Sequence, residues 1–281
     1  MTLISKKFCI FTAKVLKLED ICLKQVKPYN SFSMKAKIII DYNIVDEMYY
    51  ANSPELEPYH VLKTEGYDIA QCLERFVSNI EQEISMCERM LTRGVKSDMD
   101  DDDFNADEVL KALTGLQLYV EVSDSADDGD DDDTMYVNAA NIMFSLQAKQ
   151  KDKAGHDYIF HPMRVSIKCN LIESKIVALL HDTVEDTDLT LDTLRRYKFS
   201  EEIINGVASV TRNEGESYAD FIERASKNEI GHEVKINDLE DNMNITRLSN
   251  LTEKDWHRLN KYLHSWRYLT SLEKTTELIK E

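Results

Sequence analysis

A short acidic segment that directly follows an apolar run places the strongest constraint on this chain. Five apolar residues, IVALL, lead straight into HDTVEDT over residues 181–187. Side chains three or four residues apart share one side of a helix, so we expect His181 beside Glu185 and Asp182 beside Asp186. The alternative interpretation is an acidic helix end exposed to solvent. It fits poorly, because the preceding residues have the apolar character of a buried helix and His181 follows them directly. The segment therefore predicts a polar site at the end of a buried helix.

Two more candidate metal ligands, His161 and Asp238, lie on other predicted helices. His161 precedes Pro162, a residue favoured in the first turn of a helix, and Asp238 lies in a semi-apolar helical pattern. Imidazole and carboxylate groups form mixed nitrogen–oxygen metal sites, and further carboxylates one turn away could orient and deprotonate an attacking water. Each residue taken alone more often has a structural role. Their combination predicts one metal centre, with these ligands: His161, His181, Asp182 and Asp238.

Several motifs in a fixed order resemble the HD-domain metal phosphohydrolases. The similarity runs from about residue 138 to about residue 269, and it includes KAG at 153–155, YIFHP at 158–162, ALLHD at 178–182, VTR at 210–212 and VKIND at 234–238. Within that superfamily the pattern is most similar to the alarmone (ppGpp) hydrolase domain of RelA/SpoT homologues. Segments 212–218 and 239–243 resemble its small stand-alone members.

This resemblance implies a role for each matching residue. The four candidate ligands match the family's metal site, which usually holds Mn²⁺, and Glu185 and Asp186 match the acidic pair that activates water for attack on phosphorus. Lys153 matches a lysine that faces phosphate, and Asn242 matches a residue that contacts the nucleotide sugar. The implied activity is metal-dependent hydrolysis of a phosphorylated nucleotide substrate, with guanosine 3′,5′-bis(diphosphate) and its 3′-pyrophosphate as the first substrate to test.

The sequence departs from the alarmone hydrolases where those enzymes recognise guanine. They carry an arginine directly before the matching lysine, and its guanidinium stacks on the base; here that residue is Asp152. Hydrolysis of another nucleotide second messenger, or of a phosphorylated dinucleotide cofactor, therefore stays open. A further hypothesis is a function without catalysis: a nucleotide sensor whose N-terminal module binds a protein partner. The Glu185-Asp186 pair argues against it, because pure binding needs no water-activating carboxylates.

Patterning along the chain predicts an α+β protein in two parts. Residues 1–123 form a small α+β module of unassigned role, 124–134 an acidic linker, and 135–281 an all-α HD-type helical domain. In the module we expect strands within 7–44 around a turn at 28–31, a helix over 64–93 ended by Gly94, a helix over 106–116 and a strand over 118–122. Dense like charges resist burial, so the acidic runs 98–103 and 124–133 predict mobile loops. Calcium binding is disfavoured there, because 127–130 lacks the ligand alternation of an EF-hand loop.

The second part is predicted to be helical throughout. The expected helices are 139–149, 161–169, 173–182, 191–197, 201–211, 218–227, 231–244 and 253–279. Ser217 and Thr252 precede two of them as N-caps. The last helix carries an apolar stripe that we expect to pack in the core: Trp256, Leu259, Tyr262, Leu263, Trp266 and Leu269.

Charge and cysteine content narrow the partners and the compartment. The 281 residues carry a net charge of −18, which argues against nucleic acid binding, since that relies on basic patches. The five cysteines form no CxxC pair and predict reduced, mostly buried thiols in a cytoplasmic protein. No apolar run of about 18 residues and no signal-peptide pattern occurs, so we expect neither a membrane span nor secretion.

Overall fold

The computed structural model describes residues 34–93, 104–123, 131–248 and 250–280. The chain divides into two compact units, residues 1–150 and 151–281. The first unit combines a sheet with helices and the second is built of helices, so the predicted α+β class is confirmed. The strands expected before residue 34, the turn at 28–31, the helix stop at Gly94 and the acidic run 98–103 all lie outside the described residues.

A four-stranded sheet organises the first unit. Its strands are β1 (Lys35–Asn43), β2 (Met48–Asn52), β3 (Thr64–Gly66) and β4 (Gln117–Val122), in the order β3-β2-β1-β4. β4 runs parallel to β1, whereas β1–β2 and β2–β3 are antiparallel. Alternate residues of β1, Ala36, Ile38 and Ile40, are buried on one face, as a half-buried strand requires.

Two helices of this unit follow their sequence patterns, with one correction. Helix α1 (Ile69–Arg93) buries its apolar stripe, but it begins after β3, which occupies residues predicted to start the helix. The last position of β3, Gly66, requires a glycine, because a Cβ there would lie 2.6 Å from the backbone nitrogen of Cys72. Helix α2 (Ala106–Leu113) is capped by Asn105, whose side chain accepts from the backbone of Glu108.

The third helix of this unit begins inside the expected acidic linker. Helix α3 spans Asp131–Gln147, whereas the sequence predicted a linker to residue 134 and a helix from Ala139. Three aspartates fill its first turn, where the positive end of the helix dipole favours negative charge. Asn141 ties α3 to β4 by accepting from the backbone nitrogen of Val120 at 2.7 Å and donating to its carbonyl at 3.1 Å. Residues 124–130 lie outside the described part, and the two units divide after Gln150.

The second unit follows the helical prediction closely. Its helices are α4 (Phe160–Lys168), α5 (Ile172–Leu180), α6 (Thr183–Asp186), α7 (Leu191–Arg196), α8 (Glu201–Val210), α9 (Tyr218–Ser226), α10 (Glu229–Asn242) and α11 (Glu253–Lys280). The predicted N-caps are confirmed, since Ser217 accepts from Asp220 and Thr252 from Asp255. Among the described residues, no helix combines the length and the hydrophobicity needed to cross a bilayer.

Helix α5 is the centre of this unit. Its last five residues, from Ile176 to Leu180, are fully buried, and α4, α8 and α10 pack around it. In α11, Leu269 is buried, and Tyr262 and Trp266 pack against a cluster that contains Phe221 and Leu239. Trp256 departs from the predicted core stripe: it is 56% exposed, because it lies in the first turn of α11, outside that cluster.

The described cysteines agree with the sequence. Cys72, Cys87 and Cys169 are buried, and they form no disulfide with any described residue. Burial raises the pKa of the Cys72 thiol to about 11. Cys9 and Cys22 lie outside the described residues.

Candidate metal centre

Two buried histidines meet where α4 begins and α5 ends. His161 lies in the first turn of α4 and His181 directly follows α5, at 4% and 2% exposure. Their ring centroids are 5.2 Å apart in an edge-to-face arrangement. The last five residues of α5 are apolar and fully buried, so the position that directly follows them is the first that can offer a polar side chain to the cluster.

The Nε2 atoms of both rings point into a shared polar cluster. Asp238 Oδ1 lies 3.2 Å from His161 Nε2 and 3.7 Å from His181 Nε2. One ligand atom from each of these three residues falls within 4.8 Å of the other two. Both Nε2 atoms are buried without a hydrogen bond of acceptable geometry in the described part of the chain. Buried polar atoms are nearly always hydrogen-bonded, so these three residues form a group that could hold a cation.

Asp182 borders the same cluster. Its Oδ2 lies 2.9 Å from His181 Nε2 and 3.8 Å from His161 Nε2, and it accepts a hydrogen bond from the Tyr158 hydroxyl. Asp182 is more exposed than the others, with 21% of its side chain accessible. The structure thus brings together all four residues that the sequence predicted as ligands.

Groups behind the cluster fix the orientation of its members. His181 Nδ1 lies 2.7 Å from the carbonyl of Ala178. Lys235 Nζ lies 2.7 Å from Asp238 Oδ2, and the Asn242 amide donates to Asp238 Oδ1 at 2.6 Å. Oriented imidazoles and carboxylates of this kind are typical of the surroundings of metal ligands.

The electrostatics of the cluster favour positive charge. Burial opposes an imidazolium ion, yet the surrounding carboxylates, Asp238 foremost for His161 and Asp182 foremost for His181, raise the pKa of both rings. Burial likewise opposes the charged carboxylate of Asp238, but Lys235 and the two histidines hold its pKa well below the usual range. A nitrogen–oxygen donor set with this excess of negative charge fits a divalent cation.

Glu185 and Asp186 end the short helix α6. The backbone N–H of Arg212 donates to Glu185 Oε1 at 2.9 Å. Burial is the main cause that raises the pKa of each carboxyl, and the charge of Asp182 raises it further. The two residues line an open groove, together with Val184 and the segment Thr211, Arg212, Asn213, Glu214, Gly215 and Glu216.

Lys153 lies in a loop shaped by the residue before it. Asp152 Oδ1 accepts from the backbone nitrogens of Ala154 at 2.8 Å and His156 at 2.9 Å. Gly155 in the same loop has φ +89°, which favours glycine. Lys153 is exposed, and within the described residues it makes no ion pair with the four clustered side chains. Partial burial of its ammonium group lowers the pKa of Lys153, and the positive charges of Arg258 and Lys261 lower it further.

Sequence reasoning missed several polar residues at this site. Tyr158, Arg164, Lys235 and Asp241 all contact one of the four clustered residues or a partner of it. Helical spacing was the available signal. Lys235 and Asp241 lie three residues before and after Asp238, and Arg164 lies three residues after His161, so each shares a helix face with a predicted ligand.

No protein-family model matches the chain. A segment of 68 residues is 41% identical to guanosine-3′,5′-bis(diphosphate) 3′-pyrophosphohydrolase of Aquifex aeolicus (strain VF5). This similarity covers 23% of the chain and 10% of the Aquifex protein, so the match spans about a tenth of the length of that relative.

Proposed function

We propose that the second unit is a metal-dependent phosphohydrolase of the HD type that acts on a phosphorylated nucleotide. Its first candidate substrate is guanosine 3′,5′-bis(diphosphate), hydrolysed to release the 3′-pyrophosphate. The observation that carries the proposal is that two buried imidazole nitrogens, which make no hydrogen bond of acceptable geometry within the described residues, meet Asp238 and Asp182. The partial similarity to the Aquifex hydrolase supports the same chemistry.

In this proposal His161, His181, Asp182 and Asp238 hold one divalent ion, Mn²⁺ in the first instance. When bound, such an ion would lower the pKa of a water molecule and neutralise the charge that develops on a phosphate. Lys235 and Asn242 keep Asp238 oriented from behind. In the sequence comparison Asn242 matched a contact to the nucleotide sugar; its 2.6 Å bond to Asp238 supports an additional orienting role.

Glu185 and Asp186 are our candidates for the proton transfer. Hydrolysis forms a bond from the water oxygen to phosphorus, breaks the bond from phosphorus to the leaving oxygen, and takes a proton from the water. A carboxylate whose pKa is raised accepts that proton more readily near neutral pH, and burial raises the pKa of both. The bond from the Arg212 backbone gives Glu185 a fixed orientation for this task.

Positive side chains near this groove favour an anionic substrate. The positive charges of Arg258 and Lys261 lower the pKa of Lys153, and those of Arg212 and Lys235 lower the pKa of Lys261. Their grouping is notable in a chain of net charge −18, which repels nucleotides at long range. We infer that this group, with Lys153 on its loop, attracts the phosphates.

The loop of Lys153 also supports a second candidate substrate class. Asp152 stands where the alarmone hydrolases carry their stacking arginine, and its carboxylate instead accepts from two backbone nitrogens of the loop. The same hydrolysis applied to another nucleotide second messenger, or to a phosphorylated dinucleotide cofactor, therefore remains the alternative. A protein-binding role for the first unit stays a prediction.

A nucleotide panel with Mn²⁺ tests the proposal. The full chain is incubated with guanine and adenine nucleotides that differ in their phosphate positions, and phosphate and pyrophosphate release are measured separately. We expect Mn²⁺-dependent pyrophosphate release from guanosine 3′,5′-bis(diphosphate) that Asp238→Asn abolishes. A protein that binds Mn²⁺ and nucleotides but turns over none of them would favour the sensor reading instead.

A further inference from the structure

Asp241 is a buried carboxylate directly behind His161. It is 3% exposed, and it lies on α10 three residues after Asp238, so both aspartates share one face of that helix. Asp241 Oδ2 lies 2.7 Å from His161 Nδ1, on the side of the ring opposite to the nitrogen that points into the cluster. One helix thus approaches the same imidazole from both sides.

Two arginines hold Asp241 in place as a charged acceptor. Arg164 donates from Nε to Oδ1 at 2.7 Å and from Nη2 to Oδ2 at 3.0 Å. Arg247 donates from Nη2 to Oδ2 at 3.1 Å and to the backbone carbonyl of Asp241 at 2.8 Å. A buried carboxylate surrounded by donors remains ionised and accepts only. A neutral imidazole that binds a cation through Nε2 carries its proton on Nδ1, and Asp241 Oδ2 lies where it accepts the hydrogen bond from that proton.

The two rings of the site are supported differently. His181 Nδ1 faces the neutral carbonyl of Ala178, whereas His161 Nδ1 faces a full negative charge. A carboxylate partner makes the imidazole a stronger donor to a metal than a carbonyl does. An ion pair that only holds α4 against α10 requires no more than Arg164 and Asp241. Asp241 makes a further bond to Nδ1 of His161, and the other nitrogen of that ring points into the cluster, so the bond connects Asp241 to the site itself.

We propose that Asp241 is a positioning residue for the metal: it fixes the tautomer and orientation of His161 and strengthens its donor nitrogen. This inference rests on the proposed function in one respect, namely that His161 is a metal ligand. Asp241 itself does not touch the substrate or the cation in this assignment. Its contribution is therefore measured in metal affinity and in the state of the His161 ring.

Asp241→Asn tests the proposal because it keeps the size of the side chain and removes its charge. Loss of such a supporting carboxylate typically lowers metal affinity about 10- to 100-fold, and we expect this for Mn²⁺ and for Co²⁺, measured by titration of the metal-free protein. The visible absorption of bound Co²⁺ is expected to shift, and Asp241→Glu to recover part of the affinity. Glu240→Gln is the matched control, since Glu240 precedes Asp241 on α10 but bonds to Lys168 and Trp266 instead.

A measurement on the unmodified protein makes the test independent of how the variant folds. In the Zn²⁺-loaded chain with ¹⁵N-labelled histidine, the Nδ1 proton of His161 is expected far downfield, further than that of His181, and slow to exchange. Wild-type affinity and Co²⁺ spectrum in Asp241→Asn, or a fast-exchanging Nδ1 proton on His161, would overturn the role of Asp241 alone. A wild-type protein that binds none of the three ions would overturn the proposed function as well.

Discussion

The backbone N–H of Arg212 donates a 2.9 Å hydrogen bond to Glu185 Oε1, and it thereby orients one member of an adjacent pair of carboxylates. No hydrogen bond to the carboxylate of Asp186 occurs among the described residues, although the charges of Asp182 and His181 act on it. The pair is therefore asymmetric: the segment that follows α8 donates to Glu185, and no described residue donates to the carboxylate of Asp186.

This asymmetry allows the two carboxylates to be tested separately. Glu185→Gln retains an oxygen that can accept from Arg212, so it removes the charge without releasing the side chain. We expect Glu185→Gln and Asp186→Asn each to lower kcat about 10²- to 10⁴-fold, the usual cost of losing a positioned acid or base. Mn²⁺ content, measured by elemental analysis, is expected to stay at the wild-type level. Hydrolysis at the wild-type rate by both variants would show that neither activates water.

The four clustered residues are expected to account for metal binding. Asp238→Asn and His181→Gln each remove one donor, and we expect a loss of Mn²⁺ affinity larger than the roughly 10- to 100-fold effect of removing a residue behind a ligand. His264→Gln serves as the control, because His264 is an exposed residue of α11. Titration of the metal-free protein gives the affinities. Equal affinity in Asp238→Asn and the control would remove the metal centre from this position.

Lys153 is expected to act on substrate binding rather than on the chemical step. It is exposed, carries no ion pair to the clustered residues, and lies near Arg258 and Lys261. In Lys153→Ala we expect KM to rise several-fold for any phosphorylated substrate while kcat changes less, the pattern of a lost ground-state contact. Lys254→Ala, an exposed lysine at the start of α11, is the control. A fall in kcat without a change in KM would instead assign Lys153 to the reaction.

Asp152 decides how strongly the site prefers guanine in our proposal. Asp152→Arg supplies the guanidinium that the alarmone hydrolases carry, and we expect the ratio of kcat/KM for guanine over adenine forms of one nucleotide to rise. The substitution also removes the oxygen that accepts two hydrogen bonds from the loop backbone. Asp152→Ala separates these effects, because it removes the acceptor oxygen without supplying a guanidinium. Strong guanine selectivity in the unmodified protein, unchanged by Asp152→Arg, would mean that other residues build the base pocket.

Local patterns were sufficient for the helices of the second unit and for most of α1, α2 and β4 of the first, but not for β2, β3 or the start of α3. The helices around the cluster follow from apolar spacing and from caps such as Ser217, which are properties of neighbouring residues. Strand β2 went unnoticed because its sequence, MYYAN, acquires its structure by pairing with β1 and β3. The start of α3 was missed for a different reason. Its three aspartates were read as charges that repel, although at a helix N-terminus they are stabilising.

The candidate site divides in the same way. The sequence indicated His161, His181, Asp182 and Asp238 by motif and residue type. It did not indicate that Asp241 lies behind His161, because that contact joins residues 80 positions apart. Asp152 is a similar case. The sequence comparison showed only that it replaces an arginine of the alarmone hydrolases, whereas in the structure it shapes the loop by accepting two backbone hydrogen bonds.

The segment that orients Glu185 is itself held by an ion pair between Arg224 and Glu216. Arg224 donates to Glu216 at 2.7 and 2.8 Å, and also to the carbonyls of Ala208 and Thr211, both at 2.7 Å. The hydrogen bonds from Arg224 lower the pKa of Glu216 to about 2. In the unfolded chain a glutamate titrates at about 4.3, so the pair stabilises the fold fully above that pH and loses its contribution as the pH falls toward 2.

Glu216→Gln is therefore expected to lower the urea midpoint of unfolding at pH 7, and the difference from wild type is expected to shrink as the pH falls below about 4.3. Glu201→Gln is the matched control, because Glu201 pairs with Arg195 but is 65% exposed, and exposed pairs contribute little. If Glu185 depends on this segment, kcat falls in Glu216→Gln and not in Glu201→Gln at pH 7. A midpoint difference that stays constant between pH 7 and pH 3 would show that the charge of Glu216 does not stabilise the segment.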